Sequence, residues 1–163
     1  SPFIALAIWL EDRGPVFYTQ ERMGLDGMSF DVWKFRSMFT DAESEGPRWS
    51  QFGDPRCTPV GNFLRKWSLD ELPQFWSVMC GGMSVVGPRP QVAREVAEYS
   101  DTHHRRLLIK PGITGLWQVK GRSDLGFQEM VQLDIFYVQS WSVWLDLKIL
   151  LRTPFSLFSD NAL

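Results

Sequence analysis

The sequence predicts an α+β protein, mainly helical, that contains a small β-hairpin. Residues 16–20 and 29–35 are typical of strands, and they flank a tetrapeptide whose Asp-Gly pair at 26–27 is a strong turn signal. Residues 127–139 and 141–151 instead carry apolar side chains at helical spacing. A chain of 163 residues is long enough for one domain with its own core. We therefore expect a single domain in which helices surround one hairpin.

The N-terminal residues 1–10 form an apolar run that stops at three charged residues. Two interpretations stay open. The run is either a core helix or the tail of a longer membrane anchor that bends near Pro2, since proline removes a backbone donor and kinks a helix. Because the sequence starts with Ser1 rather than Met, we expect it to be a trimmed piece of a longer protein.

The region after the hairpin combines a basic strand end with a long polar segment. Residues 34–38 alternate basic and apolar side chains, which would place Lys34 and Arg36 on one face. A solvated strand face is the simplest interpretation of this pattern. Residues 40–58 indicate a long loop, and loops of this length in compact domains are usually functional or mobile. Residues 61–67 predict a short helix that delivers Arg65 next to the acidic residues that follow.

An acidic pair, Asp70 and Glu71, lies at the centre of the chain. Ser68 followed three residues later by Glu71 is a capping-box pattern, which predicts a helix with Ser68 as its N-cap. Apolar residues at helical spacing predict that this helix buries one face: Leu72, Phe75, Trp76 and Met79. Taken alone, two acids in a first helical turn are explained by the helix dipole, which stabilises each by roughly 0.3–1 kcal/mol.

Arg89 stands between Pro88 and Pro90, and the two prolines restrict where its guanidinium can point. Such an Arg is a candidate phosphate ligand, because it offers a planar fork of donors. Residues 91–99 predict a helix. The glycine-rich residues 111–119 permit close approach of the backbone to a ligand, and Pro154 is expected to end the last helix.

Bulk composition limits the partners of the chain. A net charge of −2 and a pI of about 5.7 provide no general attraction to nucleic acid. The two cysteines show neither metal spacing nor a disulfide framework, and the adjacent His103 and His104 are poorly spaced as ligands. Eight Trp residues suit a lipid–water boundary. No stretch reaches the roughly 18 apolar residues of a spanning helix, so this part could lie on a membrane without crossing it.

The acidic pair, the basic residues and the glycine-rich segment together suit phosphoryl-group chemistry. An Asp carboxylate can attack phosphorus and divide one displacement into two. The negative charge that accumulates would need a divalent metal and Arg side chains. Mg²⁺ prefers carboxylate and phosphate oxygens, so Glu71 could hold it while Asp70 attacks. Residue chemistry permits this mechanism but does not require it.

Several short motifs recur in order along nearly the whole chain: SP at 1–2, GPVF at 14–17, KFRSM at 34–38, LRK at 64–66, SLDELPQ at 68–74, MSVVGPRP at 83–90, PGITGLWQV at 111–119 and GR at 121–122. In these motifs the chain resembles the bacterial sugar transferase family, the monotopic polyprenyl-phosphate phosphoglycosyl transferases. Each motif is short, but their order and spacing together are highly specific. The family usually shows Asn where Ser77 stands and an acidic residue where Gly82 stands.

The resemblance implies a UDP-sugar donor, Mg²⁺, and a polyprenyl phosphate such as undecaprenyl phosphate as acceptor. Asp70 would be the nucleophile that takes the sugar phosphate and releases UMP. Glu71 would bind the metal together with Asp70, or would assist the acceptor. The substrate- and phosphate-binding candidates are Arg89, Arg65, Lys34, Arg36, Gly112 and Arg122.

The resemblance also implies an architecture and a place in the cell. Residues 1–10 would be the remnant of a re-entrant membrane helix, and residues 1–163 would form one N-terminally truncated catalytic domain with amphipathic interfacial helices. The domain would contact membrane lipid at the cytoplasmic face of the bacterial inner membrane. It would catalyse the first membrane step of exopolysaccharide, capsule or O-antigen synthesis, with glucose or galactose as the sugar. A homo-oligomer stays open, and nucleic acid is not expected as a partner.

Two other functions are compatible with parts of the sequence. A nucleotide-sugar pyrophosphate hydrolase would use water in place of the lipid and would release UMP without any polyprenyl phosphate. A non-catalytic scaffold of a polysaccharide complex would have no physical need for Asp70 and Glu71 beside Arg89. The requirement for lipid separates the first alternative from the transferase, and the intact charged residues argue against the second.

Overall fold

The computed structural model describes residues 2–42, 54–121 and 125–157, and within them it confirms a mainly helical α+β fold. The helices are α1 (Pro2–Asp12), α2 (Pro59–Lys66), α3 (Gln74–Met79), α4 (Ala93–Val96), α5 (Asp101–His104), α6 (Leu116–Lys120), α7 (Phe127–Gln139) and α8 (Val143–Leu157). The strands are β1 (Phe17–Met23), β2 (Ser29–Phe35), β3 (Ser84–Val86) and β4 (Gly112–Thr114). Short 3₁₀ turns occupy Leu25–Gly27, Leu69–Glu71 and Arg105–Leu108.

Strands β1 and β2 form the predicted antiparallel hairpin, with Phe17 opposite Phe35 and Met23 opposite Ser29. The turn lies where the sequence predicts it, and Asp26 and Gly27 both have positive φ, of 54° and 71°. Strand β1 runs three residues beyond its predicted end at residue 20. The extension places further side chains on the face of the hairpin that carries Lys34.

Strands β3 and β4 form a second, parallel pair, with Ser84 opposite Gly112 and Val86 opposite Thr114. Gly112 is buried, and a Cβ atom there would lie 2.1 Å from the backbone nitrogen of Gly87. The close approach that the sequence predicts for this segment is therefore one between two backbone strands. In the structure, Gly112 is buried against backbone and does not face open space.

Two apolar clusters hold the described chain together. One joins β3 to the C-terminal helices α6, α7 and α8: Val86, Leu116, Tyr137 and Ile149. The other joins α1, β2 and α2 and consists of Ile8, Phe35 and Leu64, with Leu69 packed against it. Because Leu69 immediately precedes the acidic pair, the second cluster fixes the position of that pair.

Helix α1 confirms that residues 2–10 are helical, and it buries only one side. Ile8 lies in the second cluster, whereas Phe3, Leu6 and Leu10 are exposed. Among the residues that the structure describes, no helix is long and apolar enough to cross a membrane.

The last helix, α8, differs from the sequence prediction at both ends, since it starts at Val143 instead of residue 141. Helix α7 has the predicted bounds, but α8 continues past Pro154 to Leu157, so the expected stop at Pro154 is wrong. A proline removes only one helical hydrogen bond directly, and the Thr153 hydroxyl donates to the carbonyl of Ile149 in the same turn, at 2.9 Å. The helix ends soon afterwards, so few bonds are affected.

Two predicted segments correspond only partly to the structure. The helix predicted for residues 91–99 is limited to the single turn of α4. The loop predicted for residues 40–58 is described at its two ends, and residues 43–53 lie outside the described part of the chain.

Candidate active site

The acidic pair lies in a 3₁₀ turn between two short helices. Helix α2 ends at Lys66, and Ser68 then adopts a left-handed conformation with φ of 51°. The Ser68 side chain makes no capping hydrogen bond, so the predicted capping box is wrong. An N-cap residue normally has extended φ and ψ, so a left-handed Ser68 does not cap a helix in the predicted way. The next helix, α3, starts only at Gln74, after Pro73.

Asp70 is buried, with 8% of its surface exposed. Burial raises the pKa of its carboxyl group, because the charged form loses hydration. The positive charge of Lys34 opposes this rise, and so do Arg65 and Arg89, whereas the charge of Glu71 adds to it. Asp70 is therefore a poorly hydrated carboxylate surrounded by cations.

Glu71 has a different environment, since two cations bind one of its oxygens. Lys34 Nζ donates to Glu71 Oε1 at 2.8 Å, and Arg89 Nη2 donates to the same atom at 3.0 Å. Burial disfavours the charged form of Glu71, but Arg89 and Lys34 outweigh it and hold the pKa of Glu71 well below its usual range. Glu71 is therefore ionised and fixed in place.

Arg89 is held by both its neighbours and its charge partner. The segment that carries it runs beside the end of β1, where the Met23 amide donates to the carbonyl of Gln91 at 2.8 Å. The charge of Glu71 raises the pKa of Arg89 above its ordinary value. The structure thus brings Arg89 and Lys34 together with the acidic pair.

The other predicted phosphate ligands differ in position. Arg65 donates from Nε to Ser37 Oγ at 2.8 Å, and its charge acts on Asp70. Arg36 is engaged elsewhere, because its buried guanidinium forms an ion pair with Asp12 and donates to the carbonyl of Pro15. Its location at the end of α1 indicates that it joins that helix to the hairpin.

Two predicted site residues lie away from the group or outside the description. Gly112 packs against the backbone of Gly87, as described above. Arg122 lies outside the described residues. The two positions where the chain departs from the family are both close to the hairpin: Ser77 Oγ donates to the carbonyl of Asp31 at 3.3 Å, and Gly82 lies beside the ring of Phe30.

Arg22 is a basic residue of this region that sequence reasoning did not identify. Its charge acts on both Arg89 and Glu71. The strand that the sequence predicts ends at residue 20, so Arg22 lies outside it and is assigned to neither face of the hairpin. A strand continued to Met23 would have placed Arg22 on the same face as Gln20, because side chains alternate along a strand.

Metal binding at this site would depend on the two adjacent carboxylates. In the described part of the chain, no group of three or more His, Cys, Asp or Glu side chains could hold an ion. Asp70 and Glu71 supply the hard oxygen donors that suit Mg²⁺, which is commonly bound through one or two carboxylates plus substrate phosphates. The donors present therefore fit a Mg²⁺ ion that binds together with a phosphorylated substrate.

Helix α3 exposes the side that the sequence predicts to be buried. The four apolar side chains of the predicted buried face, Leu72, Phe75, Trp76 and Met79, are 41% to 79% exposed, while Gln74 and Ser77 are buried. The periodicity is as predicted, but the polar side of α3 rests on β2. An exposed apolar surface therefore lies directly beside the acidic turn.

Comparison with known proteins assigns the family. Residues 1–160 match the model of the family described as bacterial sugar transferase. The chain belongs to that family, which confirms the resemblance carried by the motifs.

The chain is similar to several curated proteins. It is 46% identical over 155 residues to the galactosyl transferase CpsE of Streptococcus agalactiae serotype III, an alignment that covers 88% of this chain and 34% of the relative. It is 44% identical over 167 residues to the UDP-glucose:undecaprenyl-phosphate glucose-1-phosphate transferase of Escherichia coli K12, covering 98% and 36%. It is 43% identical over 157 residues to the undecaprenyl-phosphate galactose phosphotransferase of Salmonella typhimurium, covering 87% and 33%. The chain thus spans about a third of the length of these relatives.

Proposed function

We propose that the protein transfers a sugar 1-phosphate from a UDP-sugar to undecaprenyl phosphate. The names of its relatives support this donor and acceptor, with glucose or galactose as the sugar. The observation that carries the proposal is the buried Asp70 beside Glu71, whose Oε1 accepts hydrogen bonds from both Lys34 and Arg89. The cations Lys34, Arg65 and Arg89 all act on Asp70, and cations suit the recognition of a diphosphate.

The proposed reaction has two displacements at one phosphorus atom. A carboxylate oxygen of Asp70 attacks the phosphorus that carries the sugar, the bond to the bridging oxygen of the diphosphate breaks, and UMP leaves. A phosphate oxygen of undecaprenyl phosphate then attacks the same phosphorus and breaks the bond to Asp70. The products are undecaprenyl diphosphate sugar, UMP and a free Asp70 carboxylate.

The neighbouring residues have separate tasks in this scheme. Burial removes water from Asp70, and Lys34 and Arg65 favour its ionised form. Arg89 and Lys34 are proposed to bind the phosphate oxygens on which negative charge develops. A bound Mg²⁺, held by Glu71 and Asp70, would neutralise charge on the diphosphate.

Membrane lipid is proposed as a further partner of the domain. Exposed apolar side chains occur on α1, α3 and α8, and those of α3 lie beside the acidic turn. A lipid-linked acceptor needs its phosphate at Asp70 while its chain stays in an apolar environment. An interfacial position at the cytoplasmic face of the inner membrane would meet both needs.

The experiment that tests the function uses the full-length protein in nanodiscs with Mg²⁺, undecaprenyl phosphate, and UDP-glucose or UDP-galactose. We expect UMP release that requires the lipid, is specific for one sugar, and is abolished by Asp70→Asn. Asp101→Asn, at an exposed position of α5, is the matched control and should retain activity. UMP release without lipid would favour a hydrolase, and no release from the folded protein with either sugar would contradict the proposed transfer.

A further inference from the structure

Arg22 lies against the segment that carries Arg89, although the proposed reaction gives it no task. Its Nη1 donates to the carbonyl of Pro90 at 3.3 Å. The next residue of β1, Met23, donates its amide to the carbonyl of Gln91. Two successive residues of one strand therefore bind the two carbonyl groups that follow Arg89 in the chain.

The guanidinium of Arg22 is itself fixed. Its Nε and Nη2 donate to Gln20 Oε1 at 3.1 and 2.5 Å, so that the planar group bridges Gln20 and Pro90. In the hairpin register Gln20 lies opposite Val32 and Tyr18 lies opposite Lys34, so this face of β1 and β2 also carries Lys34. One face of the hairpin thus supports both cations that bind Glu71.

A positive charge is unfavourable at the position of Arg22. Burial and the charge of Arg89 both lower the pKa of Arg22, while Glu95 and Glu71 oppose this. A neutral amide could also bind the carbonyl of Pro90 without repelling Arg89. The planar guanidinium instead binds Gln20 and the carbonyl of Pro90 at the same time, which fixes its orientation.

We propose that Arg22 is a positioning residue for the diphosphate of the donor: it holds residues 88–91 so that the Arg89 guanidinium is directed at Glu71 and at the bound phosphates. This inference rests on the proposed function for the identity of the ligand. It assigns to the hairpin the task of fixing Arg89, in addition to presenting Lys34.

Binding of UDP tests the proposal independently of turnover. Isothermal titration calorimetry of the full-length protein in nanodiscs with Mg²⁺ would compare the parent, Arg22→Gln, Arg89→Gln and the double variant. We expect each single variant to bind UDP about tenfold or more weakly, as for loss of a charged hydrogen bond. The double variant should bind no more weakly than Arg89→Gln, because Arg22 acts through Arg89.

Three further variants separate positioning from general effects. Arg22→Lys keeps the charge but not the planar fork, and we expect it to lose most of the affinity. Gln20→Leu releases the Arg22 guanidinium without removing it, and should weaken UDP binding in the same direction. Arg94→Gln, at an exposed position of α4, is the matched control and should bind UDP as the parent does.

Several results would overturn the proposal. They are parental UDP affinity in Arg22→Gln, losses that multiply in the double variant, or no UDP binding by the parent. If the parent performs lipid-dependent transfer but the losses of UDP affinity multiply in the double variant, the proposed function stands and the positioning role is rejected. Coupled loss of UDP binding in a protein that performs no transfer would support the positioning role and reject the function.

Discussion

Adjacent residues Asp70 and Glu71 have the same chemistry and opposite environments. Burial raises the pKa of Asp70, whereas Arg89 and Lys34 bind Glu71 so closely that its pKa falls despite burial. A poorly hydrated carboxylate suits an attacking group, and a fixed, fully ionised group is suited to orienting cations. The environments therefore favour Asp70 as the nucleophile and Glu71 as the group that orients Lys34 and Arg89.

The pH dependence of turnover tests the electrostatic coupling at Asp70. In the proposed reaction Asp70 must be ionised to attack, and the charge of Lys34 opposes the rise in its pKa that burial causes. Lys34→Gln should raise the pKa of Asp70, so the acid limb of the kcat profile should move to higher pH. Lys120→Gln, at an exposed position of α6, should leave the limb in place. A profile for Lys34→Gln that coincides with the parent's would show that Asp70 ionisation does not depend on Lys34.

At the scale of elements, α2 and the turn after it depend on one glycine contact. A Cβ atom at Gly61 would lie 1.9 Å from the carbonyl oxygen of Ser37. Gly61→Ala should therefore destabilise the fold by about 1–3 kcal/mol, since α2 or residue 37 has to move. Gly126→Ala is the control, because its Cβ would meet its nearest atom only at 3.8 Å.

Thermal unfolding of the full-length protein in detergent would compare the two glycine variants. We expect a clear drop in midpoint for Gly61→Ala, and a loss under about 1 kcal/mol for Gly126→Ala, which stands at a helix N-cap. Equal midpoints for Gly61→Ala and the parent would show that α2 does not need this close contact.

A buried ion pair joins α7 to the Arg105–Leu108 turn. Arg106 Nη2 donates to Asp134 Oδ2 at 2.6 Å, and burial raises the pKa of Asp134 to about 6 although Arg106 opposes it. The folded state then holds the proton more tightly than the unfolded state, whose value is near 3.8. The contribution of Asp134 to stability should therefore fall as pH rises between these two values and level off above them.

The variant Asp134→Asn isolates that contribution, because it cannot titrate. Unfolding midpoints of parent and variant should be measured between pH 4 and 7, and their difference should change in favour of the variant as pH rises to about 6. A difference that is constant across this range, or that changes in favour of the parent, would contradict the raised pKa of Asp134.

Sequence patterns predict where helices and strands lie better than they predict which side of each element is buried. The hairpin, α2 and α7 follow from turn chemistry and periodicity, which are local properties. Periodicity also showed that Leu72, Phe75 and Trp76 share a face, but it could not show which side of α3 meets β2. The capping-box pattern at Ser68 failed because tertiary packing of Leu69 and the left-handed turn outweigh a local signal.

At the scale of the whole molecule, the exposed apolar side chains of α3 are expected to bring the acceptor to the site. Trp76 is 61% exposed, close in sequence to Asp70. Trp76→Gln should raise the KM for undecaprenyl phosphate several-fold and leave the KM for the UDP-sugar unchanged. Trp76→Phe keeps an apolar ring and should remain near the parent. Equal changes in both KM values for Trp76→Gln would indicate a general disturbance of the site instead.

The sequence predicts the residues of the site but not their arrangement in space. The motifs indicated Asp70, Glu71, Arg89 and Lys34, but their mutual distances depend on how the hairpin meets residues 88–91. Arg36 is an example of what the alternating pattern does not predict. It follows Lys34 by two residues, but it lies just after the end of β2 and pairs with Asp12. Such choices depend on contacts between residues far apart in the chain, which no local pattern contains.

In the proposed reaction Asp70 forms a covalent bond to the sugar phosphate. The most direct measurement incubates the full-length protein with Mg²⁺ and a UDP-sugar labelled in the sugar, without lipid, and maps the label by peptide mass spectrometry. We expect label on Asp70, none with Asp70→Asn, and its release on addition of undecaprenyl phosphate. Lipid-dependent transfer by a parent that never carries label, or label retained in Asp70→Asn, would contradict a covalent intermediate on Asp70.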